Sequence, residues 1–194
     1  MRSQSAAELL LDATVLCRFA DHGLLSELRG YLGDRARITR EVERELLRLA
    51  DAGEFSQLHD HLAGNGPVAR AQGKWPKHTK NLPDGLKPEF ARILGLKHSL
   101  GEHERAHAGE IATVLMAVHR RTSLVLIDDN WGSDLARKTY GLEVMSTARL
   151  VLEMVVAGAL AEDEGFAVYD SATPREVGRL RYEAGLRRLR SECS

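Results

Sequence analysis

Five carboxylates stand where a chain of this kind could do chemistry: Asp12, Glu45, Glu110 and the adjacent pair Asp128/Asp129. Asp12 closes on the apolar run LLLDAT (Leu9 to Thr14), and the Asp128/Asp129 pair closes SLVLIDD (Ser123 to Asp129). A short apolar run is a candidate buried strand of a parallel sheet, and an acid at its C-terminal end lies where α/β proteins open their ligand crevices. Carboxylates that converge there repel one another unless a cation lies between them, so the arrangement points to a divalent metal. A rival motif is present. His103-Glu104-Arg105-Ala106-His107 reads HExxH, which on a helix sets two histidines one turn apart for zinc with the glutamate as general base, the chemistry of a metallopeptidase. Against it stand a charged Arg105 inside the motif, no apolar lead-in at Gly101-Glu102, and the Ala108-Gly109 break directly after His107.

The elements that must position these acids are legible in the spacing. After the first strand, Thr14 to Ala20 and Leu24 to Leu32 read as helices, and Ala36 to Ile38 as a short strand. Thr39 is the expected N-cap of a helix to about Ala52, in which Val42, Glu45, Leu46 and Leu49 keep i, i+3, i+4, i+7 spacing. Glu45 therefore stands on or beside the buried stripe, either as a site residue or as a boundary glutamate with a packed stem. Glu110 opens a strongly periodic helix carrying Ile111, Val114, Leu115 and Val118, where the helix dipole favours its ionised, metal-binding form. Beyond Asp129, Ser133 to Tyr140 reads as a helix, Leu142 to Met145 as a strand and Thr147 to Leu160 as a buried helix. Thr173-Pro174 then starts a final arginine-rich helix. Strands alternating with helices predict an α/β fold, a three-layer sandwich around a central parallel sheet.

Composition narrows the setting. The 194 residues are 43% hydrophobic and nearly balanced in charge, at −1, so a globally basic nucleic-acid binder is excluded and any such contact must be local. Two cysteines, Cys17 and Cys193, lie far apart and make no zinc or disulfide framework. The apolar stretch near the start is too short for a signal peptide and is broken by Asp12, and no run approaches the roughly 20 residues of a membrane span. A cytoplasmic protein without membrane contact is expected. No phosphate-binding GxxxxGK[ST] or GxGxxG loop occurs, which removes the usual nucleotide sites.

Taken in order, LLLDAT, VEREL (Val42 to Leu46), GEIATVLMA (Gly109 to Ala117) and LVLIDDNWGSDLARKTYGLEV (Leu124 to Val144) resemble the four motifs of the PIN domain, a family of metal-dependent nucleases. Within it the chain is most similar to a bacterial branch whose third motif begins Gly-Glu and whose fourth contains Ile-Asp-Asp. The resemblance implies a PIN-like domain over residues 1–172, with a mainly helical insertion at about 53–100 that has no counterpart, and a C-terminal basic helix at 173–194. It implies Asp12, Glu45, Glu110 and Asp129 as the catalytic tetrad, with Asp128 sharing or replacing the last role as metal ligand, and Thr14 orienting a carboxylate or a bound water. The cofactor would be Mg²⁺ or Mn²⁺ and the reaction endonucleolytic hydrolysis of single-stranded RNA. An antitoxin protein and a homodimer are the partners that toxin-type members would bring. An inactive module that binds RNA or protein without cutting is the alternative. For RNA contact the best segment is Arg70 to Lys80, where Arg70, Lys74, Lys77 and Lys80 flank Trp75 with no acid between them. It reads equally as a solvated loop, and the final helix as a packing element rather than a binding arm.

Overall fold

Three consecutive leucines form β1 (Leu9–Leu11), buried on both faces as a strand in the middle of a parallel sheet must be. The computed structural model describes residues 8–55, 57–63, 83–98, 107–122, 124–173 and 178–193. After β1 come α1 (Ala13–Asp21), α2 (Leu25–Leu32), β2 (Ala36–Arg37) and α3 (Arg40–Asp51). The helices α4 (Gln57–Ala63), α5 (Lys87–His98) and α6 (Ala108–Arg120) lead to β3 (Leu124–Leu126). A short helix α7 (Asn130–Asp134) runs into a π-turn (Leu135–Thr139), then follow β4 (Glu143–Met145), α8 (Thr147–Val156), α9 (Glu162–Ala172) and α10 (Gly178–Glu192).

The four strands pair in the order β2-β1-β3-β4, every pair parallel. Leu10 lies opposite Val125 and Leu11 opposite Leu126, and the Asp12 amide donates to the Leu126 carbonyl at 3.0 Å, which carries the β1–β3 ladder to the first acid. Side chains alternate across the sheet. Leu9, Leu11 and Leu126 join the core built with α1, α2, α3, α8, α9 and α10, whereas Leu10, Val125 and Ile127 face Val114, Met116 and Ala117 of α6. The sheet is thus covered by helices on both faces, an α/β arrangement compatible with the expected three layers. The chain leaves β1 towards β2 on one side and later enters β3 on the other. The reversal puts the topological switch point outside the carboxyl ends of β1 and β3, where Asp12 and Asp128/Asp129 emerge.

Several expectations hold closely. Thr39 caps α3, its Oγ1 accepting from the Val42 amide at 3.3 Å, and Val42, Leu46 and Ala50 are the buried stripe. Others need correction. The strand expected through Asp129 ends at Leu126, and the helix expected over Ser133 to Tyr140 opens into a π-turn, in which Leu135 and Tyr140 pack against the α6 side of the core. The buried helix expected to Leu160 stops at Val156, and α9, which was not anticipated, follows. Its signals are three acids in the first turn, with Glu164 accepting from the Ala161 amide at 3.0 Å, and a buried Gly165, Val168, Tyr169 stripe. Thr173 ends α9 rather than starting the last helix, which begins at Gly178 among the described residues. That helix packs through Tyr182, Leu186 and Leu189 on α8 and α9, and its arginines 179, 187, 188 and 190 pair with nearby acids.

Candidate metal centre

Each carboxylate of the site is placed by a different local rule. Asp12 follows β1 and caps α1, its Oδ2 accepting from the Thr14 amide at 3.4 Å. Asp129 caps α7, its Oδ2 accepting from the Gly132 amide at 2.6 Å. Glu110 stands in the first turn of α6, its Cβ and Cγ packed so closely on Gly132 that a Cβ there would lie 3.1 Å from each. Glu45 reaches across from α3. At Gly109, on α6, an added Cβ would meet Glu45 Oε2 at 2.8 Å and Asp12 Oδ1 at 3.5 Å, so both carboxylates close over this bare backbone. Gly109 is the reason α3, α6 and the end of β1 can bring their acids together.

A histidine completes the group. His107, immediately before α6, has φ 64 and ψ 9, a left-handed conformation that turns its ring into the cluster. Its Nδ1 lies 3.4 Å from Glu110 Oε1 and 4.0 Å from Asp129 Oδ2, and the ring rests against Trp131 with centroids 5.0 Å apart. One ligand atom from each of His107, Glu110 and Asp129 falls within 4.8 Å of the other two.

The electrostatics are those of buried carboxylates held close to one another. Asp12 is 1% exposed and its buried Oδ1 has no hydrogen-bond partner. Burial, then the neighbouring Glu45, push its carboxyl up to about 7 against contacts from the Ala13 and Thr14 backbone and the Thr14 side chain. Glu110 is pushed up to about 8 by burial, then Asp12, with Glu45 and Asp129 adding to it. The backbone at the start of α6 favours the ionised form as expected, but desolvation and three neighbouring carboxylates outweigh it. Glu45 is raised as well, by burial, with Arg48 and His107 opposing. Burial, then Glu45 and Asp12, push the half-buried Cys17 thiol up to about 12, which keeps it protonated and unreactive.

An oxygen-rich donor set with a buried, unpartnered oxygen fits a divalent cation. Asp12, Glu45 and Asp129 all lie near enough to Glu110 to raise its pKa, while the atoms within 4.8 Å of one another belong to His107, Glu110 and Asp129. Asp128 is a correction: its Oδ2 accepts from Arg18 Nε at 2.7 Å and its Oδ1 from the Thr147 amide at 2.7 Å, so both oxygens tie α1 and α8 to the end of β3. The alternation that puts Leu126 in one core cluster and Ile127 in the other carries on past the end of β3 and decides this. The Thr14 amide and side chain both favour the charged form of Asp12. Arg70, Lys74, Trp75, Lys77 and Lys80 lie outside the described residues, as do residues 103–106 of the HExxH segment.

Sequence reasoning did not find Gly109, the pairing of Arg18 with Asp128, or His107 as a member of the acidic group. The signal for His107 was its place three residues before Glu110, obscured by the competing motif. A cleft of about 450 Å³ opens from Glu45 between α3 and α5, with Arg44 and Arg48 on one wall and Phe90 and Leu94 on the other. No protein-family model, curated protein or solved structure matches this chain.

Proposed function

We propose that the chain is a PIN-like, Mg²⁺- or Mn²⁺-dependent endoribonuclease acting on single-stranded RNA. The observation that carries this reading is the Asp12 carboxylate, buried at the switch point of a parallel sheet with one oxygen unpartnered, next to Glu45 and to a buried Glu110 that also feels Asp129. Asp12, Glu45, Glu110 and Asp129 would hold the ion. Bound there, a divalent cation supplies an acidified water and neutralises charge developing on a phosphodiester. The protein's own part is to hold the four acids ready, with Gly109 and Gly132 allowing the close approach and the two N-caps fixing Asp12 and Asp129. The Thr14 amide and hydroxyl favour the charged form of Asp12. Arg44 and Arg48, along the cleft beside Glu45, are in position to meet phosphates, and Phe90 to meet a base. Of these, Phe90 comes from the helical insertion, on α5.

The geometry at His107 supports this reading over a zinc peptidase. An HExxH site needs an α-helix through both histidines, whereas His107 takes a left-handed conformation before α6 starts and turns to Glu110 and Asp129. The test is cleavage of labelled single-stranded RNA. We expect hydrolysis with Mn²⁺ or Mg²⁺, abolished by EDTA and by Asp12→Asn. Cleavage unaffected by Asp12→Asn overturns the proposed role of the cluster, and RNA binding with no cleavage under any metal assigns the chain to the non-cutting alternative.

A further inference from the structure

The acidic group contains one ligand that a purely carboxylate centre does not have. We propose that His107 coordinates the metal directly, so that the site takes a first-row transition dication in preference to Mg²⁺, held by imidazole Nδ1 together with the carboxylates of Glu110 and Asp129. This rests on the metal-centre reading above. His107 Nδ1 stands 3.4 Å from Glu110 Oε1 and 4.0 Å from Asp129 Oδ2, spacings that a shared ion could span with a small rotation of each side chain.

Three features hold the donors where they are. Trp131 packs on the imidazole, the Gly132 amide fixes Asp129 Oδ2, and the missing Cβ of Gly132 lets the Glu110 stem lie against the α7 backbone. The unpartnered Oδ1 of Asp12, a 1% exposed carboxylate whose charge is felt by Glu110, is an independent sign of a ligand at this group, since a buried carboxylate oxygen rarely goes unpaired. The chemistry follows from the donor types. Mg²⁺ is hard, prefers oxygen and dehydrates reluctantly, while imidazole raises affinity along the first-row transition series.

The experiment uses the full chain loaded with Mn²⁺, with pulsed electron paramagnetic resonance to detect nitrogen at the ion and calorimetric competition between Mn²⁺ and Mg²⁺. We expect ¹⁴N coupling in the unaltered protein and none in His107→Asn, a substitution chosen because asparagine tolerates the left-handed backbone. The preference for Mn²⁺ over Mg²⁺ should fall by about tenfold or more in the variant. Absence of nitrogen coupling in the unaltered protein, or a preference unchanged in His107→Asn, overturns the proposal. If the variant does not fold, the spectrum of the unaltered protein together with that of His107→Gln decides. The two readings fail separately: nitrogen coupling without RNA cleavage leaves His107 a ligand and removes the nuclease. Cleavage with Mg²⁺ and no coupling does the reverse.

Discussion

Two tightly packed regions of this molecule satisfy their groups in opposite ways. In the α8–α10 layer, Tyr182, Leu186 and Leu189 are buried in an apolar core, the Tyr182 hydroxyl donates to the Glu162 carbonyl at 2.8 Å, and Arg179, Arg187, Arg188 and Arg190 have acidic partners. At the switch point, Asp12 and Glu110 are buried among further acids and Asp12 Oδ1 has no partner. Each region also has a glycine on which neighbouring side chains close tightly. Gly165 in α9 lies against Val155 and the Tyr182 hydroxyl, and Gly109 in α6 lies against Glu45 and Asp12. The difference teaches where stability is built and where it is given up: saturated packing on one side, mutual repulsion of buried carboxylates on the other.

The sharpest way to break the comparison is Asp12→Asn. Cleavage should fall about 100-fold or more, while metal-free stability at alkaline pH should rise. The sign follows from linkage. Asp12 and Glu110 have folded pKa values raised to about 7 and about 8 above reference values of 3.8 and 4.5. The folded state therefore binds more protons, so its stability is greatest below the reference range and is lost as pH rises through the folded values. Melting of the metal-free protein between pH 5 and 9 should show a declining Tm that added Mn²⁺ restores. A flat profile would mean that the carboxylates are not held in mutual repulsion.

Gly165→Ala tests the other side. Its Cβ would collide with Val155 Cγ2 and lie 2.7 Å from the Tyr182 hydroxyl, so we expect a loss of about 1–3 kcal/mol in denaturant unfolding with metal affinity unchanged. Asp128→Asn should cost about 1–3 kcal/mol through the lost Arg18 pair and leave cleavage per folded molecule intact. Loss of metal binding there would return Asp128 to the ligand set. The smallest effect on stability belongs to Gly109→Ala, since alanine is the better helix former by about 1 kcal/mol. Its Cβ must displace Glu45 Oε2, however, so metal affinity measured by calorimetry should drop about tenfold although the Tm holds or rises.

Much of this was readable along the chain because it depends on local rules. The Leu9–Leu11 strand, the Thr39 cap, the α3 stripe and the start of α6 near Glu110 all follow from periodicity and capping. The α9 helix was equally local and was missed because a long apolar α8 drew the reading past its true end at Val156. The short β3 was overextended for a different reason: apolarity continues to Ile127, whose amide donates to the Met145 carbonyl at 3.2 Å, but the chain leaves the strand there.

By itself, the sequence determined which acids end strands or begin helices, since side-chain period and capping act over a few residues. Only the tertiary structure decided which of them meet. Strand order placed Asp12 beside the end of β3, the alternation of the segment after β3 turned Asp128 to Arg18 and Asp129 towards Glu110, and the bare Gly109 let Glu45 approach from α3. The same packing brought His107 onto Glu110 and Asp129. Burial and charge proximity raise the carboxyl pKa values, and both are properties of residues far apart in sequence that share one space.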